Sequence, residues 1–250
     1  MIEIVKVENK EQEKEFVMFP FALYKGCDYW VPPIISEELE SMDKEKNPVF
    51  ENAEAEFYIA KKDGVTVGRI AAMVNWVEIE EQKKNKLRFG WYDTIDDLEV
   101  SKKLLESVIE FGKKRKLEFV DGPVGFSNMD KAGLLIEGYE ELNTMITWYH
   151  YPYQKEHLKK LGFSKLAEWV EYKIKIFSAE DAPEKVKKFS KIIQQRYELK
   201  VLNFKSRKEI VPYVDKMFEL LNVTYSNLQT YVTIKQYQID FYKEKFIKYI

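Results

Sequence analysis

The chain has 250 residues, 45% of them hydrophobic and 33% charged, which is enough apolar material for one large core or two smaller ones and excludes a disordered chain. Its 40 basic and 42 acidic residues leave a formal net charge of -2, with no global pull toward nucleic acid or an anionic membrane. One cysteine, Cys27, excludes an internal disulfide, and two histidines leave a structural zinc site without its usual ligands.

The N-terminus lacks a basic-then-apolar leader, and no apolar run nears the roughly 18 to 20 residues that span a bilayer. A cytoplasmic protein without membrane or nucleic-acid partners is expected. Ile2 to Val7 alternates as a strand, and Asn9 is placed to cap a helix from Glu11 to Tyr24, interrupted at Pro20. Paired prolines make Asp28 to Pro33 a loop with aromatic anchors. Glu56 to Lys61 and Val65 to Val74, joined by Asp63-Gly64, predict a β-hairpin.

Leu87 to Tyr92 is the next strand, after a KKNK run read as solvated surface. A long helix from Asp97 to Lys116 carries Val100, Leu104, Leu105, Val108 and Ile109 as one stripe, with acids at its start and KKRK at its end. Leu117 to Val120 returns as a strand that Gly122-Pro123 ends. A helix from Tyr153 to Leu161 stops at Gly162, and Trp169 to Ile176 alternates as a closing strand. After Phe177 the pattern begins again: a strand at Lys200 to Phe204, Ser206 as a cap, a helix from Glu209 to Leu221, then Tyr231-Val232-Thr233 and a last helix to Ile250. That order hints at an internal duplication whose second copy stops early.

The element order of the first part, with HLKKLGFSK at His157 to Lys165, resembles the GNAT N-acyltransferases over Met1 to Ile176. GPVGFSNMDKAGLLIEGYE followed by YHYPYQKEHLKKLGF is similar to a bacterial GNAT-like group. The resemblance implies an α/β fold, a mixed, largely antiparallel sheet flanked by helices, in domain 1-176. Residues 177-250 resemble the opening strand and helices of a second such domain. It also implies acetyl-CoA or another acyl-CoA as cofactor, its pyrophosphate seated on a Gln/Arg-x-x-Gly-x-Gly/Ala loop before the long helix.

In this chain that loop reads WYDTIDDLEV, with no glycine or base and with Asp93, Asp96, Asp97 and Glu99 instead. Like charges about 6 Å apart repel by ~0.7 kcal/mol in water and ~3 kcal/mol at an effective dielectric near 20, so no cofactor residue is carried over. Asp96 or Asp97 is better read as a helix cap. The family's general-acid tyrosine falls on Leu158, which has no proton to give, leaving Tyr149, Tyr151 and Tyr153 as catalytic candidates against a plain packing role.

Trp148, Tyr149, His150 and Tyr151 form an aromatic patch able to stack a planar ligand, and Ser127, Asn128, Asp130 and Lys131 form a polar loop suited to a small ligand, read against an ordinary Asx-type turn. His150 and His157 are not expected to hold a metal, nor Cys27 to act as a nucleophile. Two readings follow. One is an acyl-CoA-dependent N-acyltransferase; the other, favoured for the first domain, is a non-catalytic GNAT-like module binding a small ligand or a partner chain. The aromatic C-terminal segment is the expected homodimer surface.

Overall fold

The computed structural model describes residues 1-127, 129-175, 178 and 180-246. Five strands, β1 (Ile2–Lys6), β2 (Ala53–Lys62), β3 (Val65–Asn75), β4 (Lys86–Thr94) and β5 (Phe119–Asp121), form one sheet in sequence order. The first four pair antiparallel, and β5 joins β4 in parallel. This is the mixed, largely antiparallel sheet flanked by helices that the sequence predicts. The hairpin between β2 and β3 turns at Asp63 (φ 53°) and Gly64 (φ 82°), two left-handed residues in succession, as a tight twisted hairpin demands.

One sheet face packs on α4 (Leu98–Lys114), and the other on α1 (Lys10–Leu23) and α2 (Ile35–Met42). Alternation along the strands divides the core. Tyr58, Ala60, Ile70, Ala72 and Val74 face α4, while Phe57, Ile59, Ala71 and Met73 face α1 and α2. The buried stripe of α4 is Val100, Leu104, Leu105, Val108 and Phe111. Ile109, predicted within that stripe, is 38% exposed, because it lies at the outer margin of the face centred on Val100, Leu104, Val108 and Phe111.

Asn9 caps α1 by accepting from the Gln12 amide, and the helix runs unbroken through Pro20. Pro20 has no N–H to give Phe16 O four residues back, and Arg69 Nη1 takes that carbonyl instead at 3.1 Å. Two further elements had no sequence signal strong enough to predict them: α2, which opens without a side-chain cap, and the one-turn α3 (Trp76–Glu80).

Several expectations are corrected. Lys86, in the KKNK run, is buried and paired with Glu78 at 3.2 Å and Asp121 at 2.7 Å. It lies inside β4, where the strand register, not local charge, decides its exposure. Residues 169-175 form no strand: Trp169, Val170, Tyr172 and Ile174 are all exposed, with no neighbouring strand to supply hydrogen bonds. Ile176, the end of that predicted strand, lies outside the described residues. Residues 200-204 are likewise not a strand.

Beyond α5 (Pro152–Lys160), α6 (Glu184–Arg196) has no buried residue. Helices α7 (Arg207–Tyr225) and α8 (Gln236–Phe246) share a small apolar cluster of Val214, Phe218, Ile234 and Ile239. Residues 230-245 pack back on β4 and the loops beside it. Arg88 donates to Thr230 O at 2.8 Å, Lys235 pairs with Glu81 at 2.6 Å, and Asn52 donates to the Tyr237 hydroxyl at 2.8 Å.

Candidate functional site

The site begins with an irregularity in β4. Arg69 lies opposite Asp93 and Ala71 opposite Gly90, so Trp91 and Tyr92 together face Ile70 alone. This is a β-bulge, with Trp91 in the left-handed region at φ 47°. The extra residue flips the alternation: Leu87, Phe89 and Tyr92 face α4, while Trp91 crosses to the α1 and α2 side. Trp91 is held there by its indole N–H, which donates to Glu38 Oε2 at 2.7 Å, and by the rings of Phe57, Phe126 and Trp148.

Past the bulge lies a buried polar centre. Arg69 Nε donates to Asp93 Oδ2 at 2.8 Å, and the Tyr24 hydroxyl donates to Asp93 Oδ1 at 2.6 Å. Both ions are almost fully buried, so each depends on the other and on these hydrogen bonds. Burial and the Asp93 charge raise the Tyr24 pKa well above its ordinary value, which keeps the hydroxyl protonated. Burial pushes His150 down to about 4, leaving a neutral imidazole whose Nδ1 accepts from the Leu135 amide at 3.3 Å.

Strands β4 and β5 pair only from Lys86 to Arg88. The Val124 amide then reaches Phe89 O, and among the described residues no later backbone hydrogen bond joins the two segments. Gly90 permits this packing, since a Cβ there would lie 2.6 Å from Val124 O and 3.2 Å from the Trp148 ring. Beyond that point the β4 edge is covered by the chain itself. Gln154 Nε2 donates to Tyr92 O at 3.1 Å, the Tyr153 hydroxyl donates to Thr94 O at 2.6 Å, and the Trp148 ring stacks at a tilt on Trp91. An extended ligand arm adding to this edge would have to displace those groups.

The loop before α4 is closed in the same way. Asp97 is the N-cap, accepting from the Glu99 amide at 3.0 Å, and it pairs with Lys62 at 3.2 Å. His157 bridges Asp96, through Nε2 at 3.2 Å, to the buried Ser101 Oγ, through Nδ1 at 2.8 Å. Ser101 also accepts from the Tyr92 hydroxyl at 2.9 Å. The order Asp96, His157, Ser101 has the form of a nucleophile relay, but Ser101 is fully buried and meets no substrate. Its role is to tie α5 to the start of α4.

The predicted site residues divide into two groups. Tyr149, Tyr151 and Tyr153 come together in a ladder of rings running from Trp30 through Tyr24 to His157, with centroids 5.1 to 5.8 Å apart. All three hydroxyls have pKa values raised by burial, so they are poorer acids than a free tyrosine. Trp148 and His150 lie against the bulge. Ser127 and Asp130 form a local turn, in which the Ser127 amide donates to Asp130 Oδ2 at 2.9 Å and Met129 N donates to Ser127 Oγ at 3.1 Å. Asn128 lies outside the described residues. Lys131 is half-buried, and its ammonium is within electrostatic reach of Glu38, Arg69 and Asp93.

Sequence reading missed Tyr24, Glu38, Arg69 and Gln154, which converge from separate elements. The signal available for Arg69 was a lone arginine in an otherwise apolar strand run. His150 and His157 are on different elements with separate partners. Among the described residues no group of three or more His, Cys, Asp or Glu side chains is arranged to hold a metal ion, and no helix is long and apolar enough to cross a membrane.

No family model matches the chain. It is 31% identical over 167 residues to protein YghO of Escherichia coli, covering 65% of this chain and 43% of that protein. It is 23% identical over 174 residues to the bacterial ceramide synthase of Caulobacter vibrioides, covering 69% and 45%. The chain thus spans less than half the length of these curated relatives. Among solved structures, aminoglycoside N-acetyltransferase AAC(6')-Iy in complex with CoA aligns at 12% identity and a TM-score of 0.41, over 70% of this chain and 96% of that one. A protein of Clostridium acetobutylicum described as a predicted acetyltransferase, with acetyl-CoA, aligns at 13% identity and a TM-score of 0.42, over 69% and 96%.

Proposed function

We propose that residues 1-176 are the GNAT-like unit of an N-acyltransferase-related protein, and that this unit does not itself carry the acyl-CoA chemistry. One observation carries the reading: the loop before α4, where the family resemblance puts the cofactor pyrophosphate, is occupied by Asp96 and Asp97, and the β4 edge beside it by Gln154 and Tyr153 of the chain itself. A pyrophosphate there would meet two carboxylates instead of free amides.

For the whole protein, the name of the Caulobacter relative makes a long-chain amine the proposed acceptor class and an acyl-CoA the proposed donor. Residues 177-250 are proposed to open a second unit, which would cover the exposed apolar side chains Val186, Phe189, Ile192 and Ile193 of α6. If a homodimer covers them instead, sedimentation will give twice the chain mass. Thiol release from palmitoyl-CoA with a long-chain amine, measured on this chain, tests the reading. No release above the protein-free rate is expected; sustained turnover would overturn the non-catalytic assignment.

A further inference from the structure

Residues 169-175, WVEYKIK, carry a strand pattern without a partner, and their side-chain contacts show how they lie. Alternate residues face the segment between β5 and α5. Glu171 Oε1 accepts from the Thr144 and Thr147 hydroxyls at 2.7 and 3.0 Å, and its Oε2 accepts from the Thr144 amide at 3.1 Å. The Trp169 ring comes within 3.9 Å of the place a Cβ on Gly133 would take, and Lys173 lies 3.9 Å from Glu141. Between them Val170, Tyr172 and Ile174 are 63 to 79% exposed. Among the described residues no backbone hydrogen bond reaches any of 169-175. One face is held by polar contacts, while the apolar face and the peptide groups are left open, as at an unprotected strand edge.

The order of residues says what fits that edge. Set antiparallel to itself about Tyr172, the segment is its own complement: Val170 falls opposite Ile174, Glu171 opposite Lys173, Trp169 opposite Lys175, and Tyr172 opposite itself. A two-fold axis normal to a pair of strands must oppose residues of the same face, and this register does so. It creates two opposite-charge pairs, two aliphatic pairs and two Lys–Trp contacts. Moving the axis by one residue sets Glu171 against its own copy, or Lys173 against its own copy, so charge selects one register.

We propose that residues 169-175 pair antiparallel with the same residues of a second copy of this chain, joining the two through a ribbon centred on Tyr172. Glu171 keeps its threonine donors there, because a carboxylate has lone pairs enough to accept from a lysine as well. Lys173 is 90% exposed and leaves only its long contact with Glu141. The proposal does not depend on whether acyl-CoA binds, and it puts the interface on 169-175, not on α6.

Sedimentation equilibrium of this chain, with Lys173→Glu and Glu171→Lys as probes, tests it. The unaltered chain is expected to dimerise at concentrations on the order of 0.1 mM. Either substitution alone sets like charges opposite each other at both places, and is expected to weaken the dimer about tenfold. An equimolar mixture of the two variants restores both opposite-charge pairs and is expected to recover most of the loss. Losing the Glu171–threonine contacts would give no such rescue, and near-UV circular dichroism confirms that each variant is folded. A monomer at that concentration, a dimer that folded Lys173→Glu leaves unchanged, or no recovery in the mixture of folded variants would overturn the proposal.

Discussion

Asp93 shows how far a residue's meaning depends on what lies across the sheet. In the sequence it belongs to a run of acids before a helix; in the fold it is the buried partner of Arg69 and Tyr24. Nothing local marks this, since Tyr24 and Arg69 lie 69 and 24 residues away and meet Asp93 only because the bulge sets the register. Removing the Tyr24 hydroxyl in Tyr24→Phe is expected to cost about 1.5 to 3 kcal/mol, the range for a hydrogen bond to a charged group. Asp93→Ala, which strands a buried guanidinium, is expected to cost about 3 to 5 kcal/mol, and urea denaturation measures both. His150 supplies a pH signature. Its folded pKa of about 4 lies below the ordinary 6.5, so between those values the unfolded chain binds the extra proton and stability falls as pH drops. The loss approaches about 3 kcal/mol by pH 4, and a His150→Gln variant that remains folded should show a flatter profile in that window.

At the scale of elements, the hairpin, α1, α4 and α5 were legible because each carries its own punctuation: Asp63-Gly64, Asn9, Asp97 and Gly162. Asp97→Ala is expected to destabilise the fold by about 1 kcal/mol through loss of the cap, and thermal unfolding reads it directly. The bulge and the covering of the β4 edge by Gln154 and Tyr153 were not legible. Period-2 alternation places Trp91 with Leu87 and Phe89, and only the three-dimensional register reveals its crossing. Residues 169-175 failed as a strand for the converse reason: their alternation satisfies a strand pattern, but a strand needs a partner, and among the described residues they pair with none. The aromatic patch was legible as a run of rings, while Tyr24, Arg69 and Asp93, which meet beside it, came from other elements.

Across the whole molecule, the packed sheet and its helices contrast with the described residues of 164-204, which are mostly exposed and beyond which residues 230-245 pack back beside the sheet. Limited proteolysis is therefore expected to cut first within 164-204, and the two pieces should co-elute in gel filtration; separation of the pieces would contradict the docked arrangement. The aromatic residues Tyr231 and Tyr237 of that segment contact their own chain. The proposal that Gln154, Tyr153 and the acids before α4 occupy the place of an acyl-CoA is tested most directly by calorimetric titration with acetyl-CoA, with CoA as control. No heat of binding and no rise in Tm at millimolar cofactor are expected; micromolar binding would show that these groups give way, and would contradict the proposal.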